Sequence, residues 1–311
     1  MNVLITGGCG YIGSYLAYNL SKIKKIKKIF IIDNLINGKK KIKCKKIRYN
    51  HICFSHNKVK KIIITNKISR IYHLAAFIDN EESVLKPKKY WKNNYFKSVR
   101  FLNFCISANV KEFNFASSAA VYGSKINKKI QESFKKKPLT PYGKTKLDFE
   151  QELIKSKKKI KFNIYRFFNV AGADPKNNFG PANKNYKHLL NVIMNARNTF
   201  TINGNNYLTK DGTCIRDYVH IKDIIRILIK LPELSCQNNI LNIGSGIPSS
   251  VKEVYKKFCK YKFLKIIYGP RREGDNAYLV SDNRKLKKLV KIKFTQLDKI
   301  IKDLVDYKNF K

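Results

Sequence analysis

The sequence predicts an α/β protein built on a doubly wound parallel sheet, followed by a smaller C-terminal part. Three observations lead there. Over the first two thirds of the 311 residues, short apolar runs alternate with segments of helical pattern. A glycine-rich turn follows the first run at once, and after Asn169 the pattern loosens into the loop-like NVAGADPKNNFGPANKN. Buried strands alternating with crossover helices imply a parallel sheet whose ligand lies at the carboxyl ends of the strands.

Taken in order, VLIT (3–6), KIFIID (28–33), IYHLAA (71–76), EFNFAS (112–117) and FNIYRFF (162–168) read as strands. Residues 12–21, 81–109 and 141–158 are long enough for crossover helices. The last of these opens with Thr140 as a cap and Pro141 at the first helical position. Further on, Ser250-Val251-Lys252-Glu253 is a capping box that starts another helix. Residues 1–169 are therefore expected to form a nucleotide-binding domain, and 170–311 a mainly substrate-binding part, some of whose segments return to the large sheet.

Composition narrows the function classes. A hydrophobic fraction of 43% belongs to a globular chain, and the apolar runs are short and bounded by lysine, so no membrane span is expected. MNVLITGG enters a strand pattern without a charged leader, so no secretion signal is expected either. The seven cysteines are scattered, with no C-x-x-C pair, which argues against a structural metal or a disulfide framework and for a reducing cytoplasm. Net charge is +44, from 65 Lys and Arg against 21 Asp and Glu. These lysines run along the whole chain among Ile and Asn, with no basic arm or aromatic-basic motif, so no nucleic-acid partner is expected and the charge favours an anionic substrate.

The chemistry-bearing motifs follow the strands. GGCGYIG carries glycines at 7, 8, 10 and 13, satisfying G-x-G-x-x-G between a strand and a helix, where a tight turn and an open helix N-terminus make a pyrophosphate site. Asp33 lies twenty residues past Gly13 and is the only carboxylate in the first 78 residues; it suits the 2′-hydroxyl of NAD. Ser117 and Ser118 stand just beyond the fourth predicted strand and are expected to face the same crevice. Tyr142 and Lys146, four apart, share one helix face. A phenol ordinarily titrating near about 10 is expected to be lowered by that ammonium, making Tyr142 an acid/base and completing a Ser, Tyr, Lys set.

ITGGCGYIGSYL, IIDNLINGK, IYHLAA with ESVLKP, SSAAVYG, PYGKTK, RFFNVAGADP, DGTCIRDYVHIKD, LNIGSG and PRREGD appear in that order over nearly the whole chain. With them the sequence resembles the extended short-chain dehydrogenase/reductases, and among them the UDP-glucose 4-epimerases, which are Rossmann-like. The resemblance implies that Gly7, Gly10, Tyr11, Ile12, Gly13, Asp33, Asn34, Ala75, Asn94, Tyr142 and Lys146 contact NAD. It implies that Ser118, Asn169, Leu189, Arg216, Arg272 and Asp275 hold a UDP-sugar, that Tyr142, Lys146 and Ser118 are catalytic, and that the protein is a homodimer without a metal. Fork-shaped arginine donors suit a diphosphate. Ala119 and Ala120 stand where dehydrating relatives carry an acid, which argues for reversible hydride transfer. His51 replaces the usual acid near the adenine, KLVKI replaces an LGW-like motif, and Leu279 falls where residue size decides whether an N-acetyl group is admitted.

Overall fold

The computed structural model describes residues 1–123, 127–181, 188–234, 238–272 and 276–309. In chain order the strands are β1 (Asn2–Thr6), β2 (Lys28–Ile32), β3 (Ile47–Asn50), β4 (Ile68–His73), β5 (Glu112–Ser118), β6 (Lys161–Phe167), β7 (Asn169–Ala171), β8 (Thr199–Asn203), β9 (Ile215–His220), β10 (Asn239–Ile243), β11 (Pro248–Ser250), β12 (Lys265–Gly269) and β13 (Tyr278–Leu279). Seven of them form one sheet in the order β10-β6-β5-β4-β1-β2-β3. The pairings from β5 across to β3 are all parallel. Strand order reverses at β1 and β4, so the crevice beyond their carboxyl ends is the switch point of a doubly wound fold.

All five predicted strands are present. β3 was not foreseen because only Ile47 of its four residues is fully buried, which leaves neither an apolar run nor an alternation to read.

The helices begin where their caps dictate. Gly10 precedes the helix Tyr11–Ser21, and Thr140 accepts from Gly143 N at 3.2 Å to open Pro141–Lys155. The run expected over 81–109 is broken into Asn80–Leu85, Pro87–Tyr90, a π-helical stretch Trp91–Phe96, and Lys97–Ser107. Pro87 cannot continue a helix as a donor and so starts a new one. The π stretch carries an extra residue per turn, a distortion most often found at functional sites.

The chain packs as two compact units. The first comprises Met1–Val121, Thr140–Arg166 and Leu228–Leu241; the second comprises Tyr122–Leu139, Phe167–Ile227 and Asn242–Lys311. Residues 122–139 thus belong with the second unit, ahead of the division drawn from sequence after Asn169.

In the first unit an aromatic core of Phe101, Phe113, Phe115 and Phe149 seats the helix Pro141–Lys155 on β5. Phe115 and Phe149 meet edge to face at 4.7 Å. In the second unit β9 is central to a four-stranded sheet with β7, β11 and β13, while β8 and β12 form a parallel pair. Among the described residues, no helix is long and apolar enough to cross a membrane, and no group of three or more His, Cys, Asp or Glu could hold a metal ion.

Candidate active site

The glycine turn sits at the end of β1, and each glycine there has its own steric reason. Gly7 has φ +70°, and a Cβ on it would lie 2.8 Å from Ala75 N; on Gly13 it would lie 2.2 Å from Gly7 O. Gly10 differs, because a Cβ there would meet only Gly7 O, at 3.3 Å. Gly10 also caps the helix Tyr11–Ser21 without a side chain, and no acid occupies the first turn, where Tyr11 and Ile12 are half-buried. The positive end of that helix is thus offered to an anion on its glycine side.

Asp33 stands beside it at the end of β2, its Oδ2 accepting from Cys9 N at 2.9 Å and its Oδ1 from Leu35 N at 2.8 Å. These two bonds fix the carboxylate and leave it further acceptor capacity toward ribose hydroxyls. Asn34 is exposed, its Oδ1 taking Ile36 N at 3.3 Å. A cradle of amides with a single fixed acid fits NAD: pyrophosphate on the helix terminus, ribose on Asp33.

Beyond β4, Asn94 in the π-helical stretch binds the backbone of Phe77 twice, donating to its carbonyl at 2.9 Å and accepting from its N–H at 3.0 Å. Its amide therefore fixes the segment that includes Ala75. Sequence reasoning missed a second brace: His73 bonds Thr6 Oγ1 at 2.7 Å and Ser98 Oγ at 2.9 Å, and Ala75 N donates to Thr6 Oγ1 at 3.3 Å. Burial first, then Lys146, hold the His73 ring well below its ordinary range, so it is neutral.

Adjacent residues of a strand face opposite ways, and the two serines that end β5 obey this rule. Ser118 lies beside Tyr142, which is 7% exposed, and its Oγ accepts from Ala120 N at 3.2 Å. Ser117 instead turns inward and donates to Glu150 Oε1 at 2.5 Å. Glu150 is gripped by Arg166, with Nη2 to Oε2 at 2.6 Å and Nε to Oε1 at 3.0 Å, both residues being buried. The expectation that the two serines face one crevice is corrected: Ser118 belongs to the tyrosine, Ser117 to an interior ion pair.

Lys146 is buried as well; it donates to Ala116 O at 2.7 Å and lies 4.8 Å from the centre of the Phe115 ring. Burial brings its ammonium down to about 7, and Glu150 one turn along the helix opposes that fall. A second expectation is corrected here. The Tyr142 phenol is raised by burial, and the Ser118 hydroxyl opposes that rise without reversing it, so desolvation sets the direction. Tyr90, itself buried, meets the Tyr142 ring edge-on at 6.4 Å and donates to Glu82 Oε2 at 2.9 Å.

The second unit carries the other predicted residues. Asn169 lies in β7, where its Nδ2 donates to Asp217 O at 3.1 Å. Leu189 is the first residue of the helix Leu189–Asn195. Arg216 lies in β9, donates to Asn276 O at 2.6 Å and is paired in register with Leu279 of β13. Arg272 is exposed, its guanidinium 3.0 Å from the Asn203 side-chain amide. Asp275 lies outside the described residues. Ala119 and Ala120 continue from Ser118, so no acid follows the serine, and His51 follows β3 exposed to solvent.

Residues 3–244 match the NAD dependent epimerase/dehydratase family. The chain belongs to that family. This family member is 34% identical to the UDP-glucose 4-epimerase of Lactobacillus helveticus over 97% of its own length and 95% of that protein. Its fold superposes, with a TM-score of 0.91 and 26% identity, on the UDP-glucose 4-epimerase of Bifidobacterium longum in complex with NAD+ and UDP, covering 99% of this chain and 98% of that one. With the UDP-Glc/GlcNAc 4-epimerase of Campylobacter jejuni the TM-score is 0.81 and the identity 30%, over 99% of both chains.

Proposed function

We propose that this member of the NAD dependent epimerase/dehydratase family is a UDP-glucose 4-epimerase that interconverts UDP-galactose and UDP-glucose. The observation that carries the reading is the Ser118 hydroxyl beside the buried Tyr142, with Lys146 buried one turn along the same helix, in the unit that also holds the glycine turn and Asp33. Bound NAD supplies the acceptor and then the donor of the hydride at C4. Tyr142 takes the proton of the 4-hydroxyl, and Ser118, bonded to the same oxygen, relays it. Burial brings Lys146 down to about 7, and in its ammonium form it offsets the charge that develops on Tyr142.

Because one tyrosine serves both epimers, the sugar must offer both faces of C4 while its diphosphate stays held. Arg216 and Arg272 are assigned to the diphosphate, Asn169 and Leu189 to the rest of the UDP-sugar, and Asp275 to ribose hydroxyls. The absence of an acid at Ala119 and Ala120 fits a reaction with no leaving group.

Leu279 opposite Arg216 has a bulk between that of a small and an aromatic residue, which supports a second reading as an epimerase of UDP-N-acetylhexosamines. One experiment separates the two. Purified protein is given UDP-galactose and, separately, UDP-N-acetylgalactosamine, and the epimers are resolved by chromatography. UDP-glucose forming without net NADH is expected; turnover of the acetylated sugar alone would replace the first reading with the second, and turnover of neither would overturn both.

The reading includes a cytoplasmic homodimer with no nucleic-acid or membrane partner. Trp91, Tyr95 and Phe96 support the dimer: their rings pack within 5.2–6.4 Å of one another, and Phe96 is 62% exposed. Sedimentation of a monomer at micromolar concentration would remove that part.

A further inference from the structure

Asp217 is fully buried, yet the bonds that satisfy its carboxylate all come from neutral donors. Oδ1 accepts from Ser245 N at 2.8 Å and Ser245 Oγ at 2.6 Å. Oδ2 accepts from Gly246 N at 3.0 Å, Ser281 N at 3.0 Å and Ser281 Oγ at 2.5 Å. A Cβ on Gly244 would lie 2.4 Å from Asp217 Oδ2 and 2.5 Å from Ser281 Oγ, so the turn after β10 is moulded to the carboxylate. Buried carboxylates are costly unless fully bonded, and here five donors from two separate segments converge on one.

Those segments matter because of what they border. Ser281 lies two residues past Leu279, and Leu279 pairs with Arg216, the residue before Asp217. At the other end of the same segment, Arg216 donates to Asn276 O and Ile215 N donates to Ala277 O at 2.8 Å. Side chains alternate along β9, so Arg216 and Asp217 leave it on opposite faces, and the two grip β13 before and after Leu279.

We propose that Asp217 is a positioning residue for sugar recognition: by tying Ser281 to β9 it holds Leu279 in register with Arg216. The inference rests on the reading of Arg216 as the diphosphate anchor and of Leu279 as the residue beside the sugar. It assigns the geometry of that pair to a carboxylate that touches neither ligand nor cofactor. An asparagine in its place must turn an NH2 toward backbone N–H donors whichever way it flips, so at least one donor on each affected side loses its acceptor.

The test uses the whole enzyme with Asp217→Asn and, as a milder change, Ser281→Ala, which removes one hydroxyl donor and leaves the carboxylate. For Asp217→Asn we expect KM for UDP-galactose to rise about tenfold while kcat falls less than about threefold, the pattern of lost uniform binding. The ratio of rates on UDP-N-acetylgalactosamine and UDP-galactose should shift about fivefold or more, and Ser281→Ala should move both quantities the same way by about half as much on a logarithmic scale. A merely structural role would lower the amount of folded enzyme and leave KM and the ratio alone. Titration of UDP by calorimetry reads the same clamp without turnover, so a wild type inactive on both sugars, which sinks the functional reading, still leaves the clamp measurable. Should Asp217→Asn not fold, Ser281→Ala decides. Unaltered KM, rate ratio and UDP affinity in a folded variant overturn the proposal.

Discussion

At the end of β5 two consecutive serines point to opposite faces and meet two very different environments. Ser117 joins Glu150 and Arg166 in a closed set of charge-assisted bonds, every member of it buried. Ser118 stands beside Tyr142, whose helix also carries a lysine that donates to a neutral carbonyl. On the first face the buried charges are matched; on the second they are left able to change. Saturated ionic groups hold a structure, whereas a reaction centre needs groups whose protonation is finely balanced. One peptide unit separates the two.

Substitutions on each face should therefore fail differently. Tyr142→Phe removes the group that exchanges the proton, so kcat should fall by about 10³ or more with cofactor content and melting temperature unchanged; a variant turning over at the wild-type rate would place the chemistry elsewhere. Glu150→Gln leaves Arg166 buried without its partner and should cost about 3–5 kcal/mol in denaturant unfolding. A loss under about 1 kcal/mol would mean that Arg166 finds other acceptors.

Lys146→Met sharpens the contrast by dividing the two properties: activity should be lost while stability changes with pH in a defined sense. Burial lowers the lysine to about 7 in the folded state, against about 10.4 in the unfolded chain. Between those values the unfolded state binds more protons, so this residue makes the wild type more stable as pH rises from about 7 to about 10, and its penalty is complete below about 7. The methionine variant should gain most at pH 6–7, by about 2 °C or more in melting temperature, with the gain shrinking at pH 9. A constant difference across that range would show that Lys146 does not titrate in the window.

How much of this was legible in the sequence follows from how local each rule is. The glycine spacing, the acid ending β2 and the i, i+4 tyrosine and lysine depend on a few neighbouring residues, and the fold places them as a strand end, a turn and one helix face. The direction of the Tyr142 shift was not legible, because charge proximity is written in the spacing but burial is set by distant packing such as Tyr90 and the Phe115–Phe149 core. Alternation along β5 could have separated Ser117 from Ser118 had the inward partner Glu150 been weighed. The reading of DGTCIRDYVH stopped at Arg216; Asp217 escaped because its partners Ser245 and Ser281 lie 28 and 64 residues away.

The π-helical stretch Trp91–Phe96 has a geometric consequence of its own. An α-helix turns about 100° per residue, and a π turn is an α-helix with one residue to spare. That surplus sets the phase between Asn94 upstream and the buried Phe101 and Cys105 downstream. Deleting a single exposed residue that follows Asn94, such as Phe96, would restore regular winding and keep the downstream residues in the core. Everything before it would then be rotated by about 100°, carrying the N-terminal end of the stretch away from the Phe77 backbone that Asn94 now holds in two directions. The extra residue works as a phase shifter, letting one continuous helical rod serve a packing face and a loop-bracing face that regular periodicity could not align together.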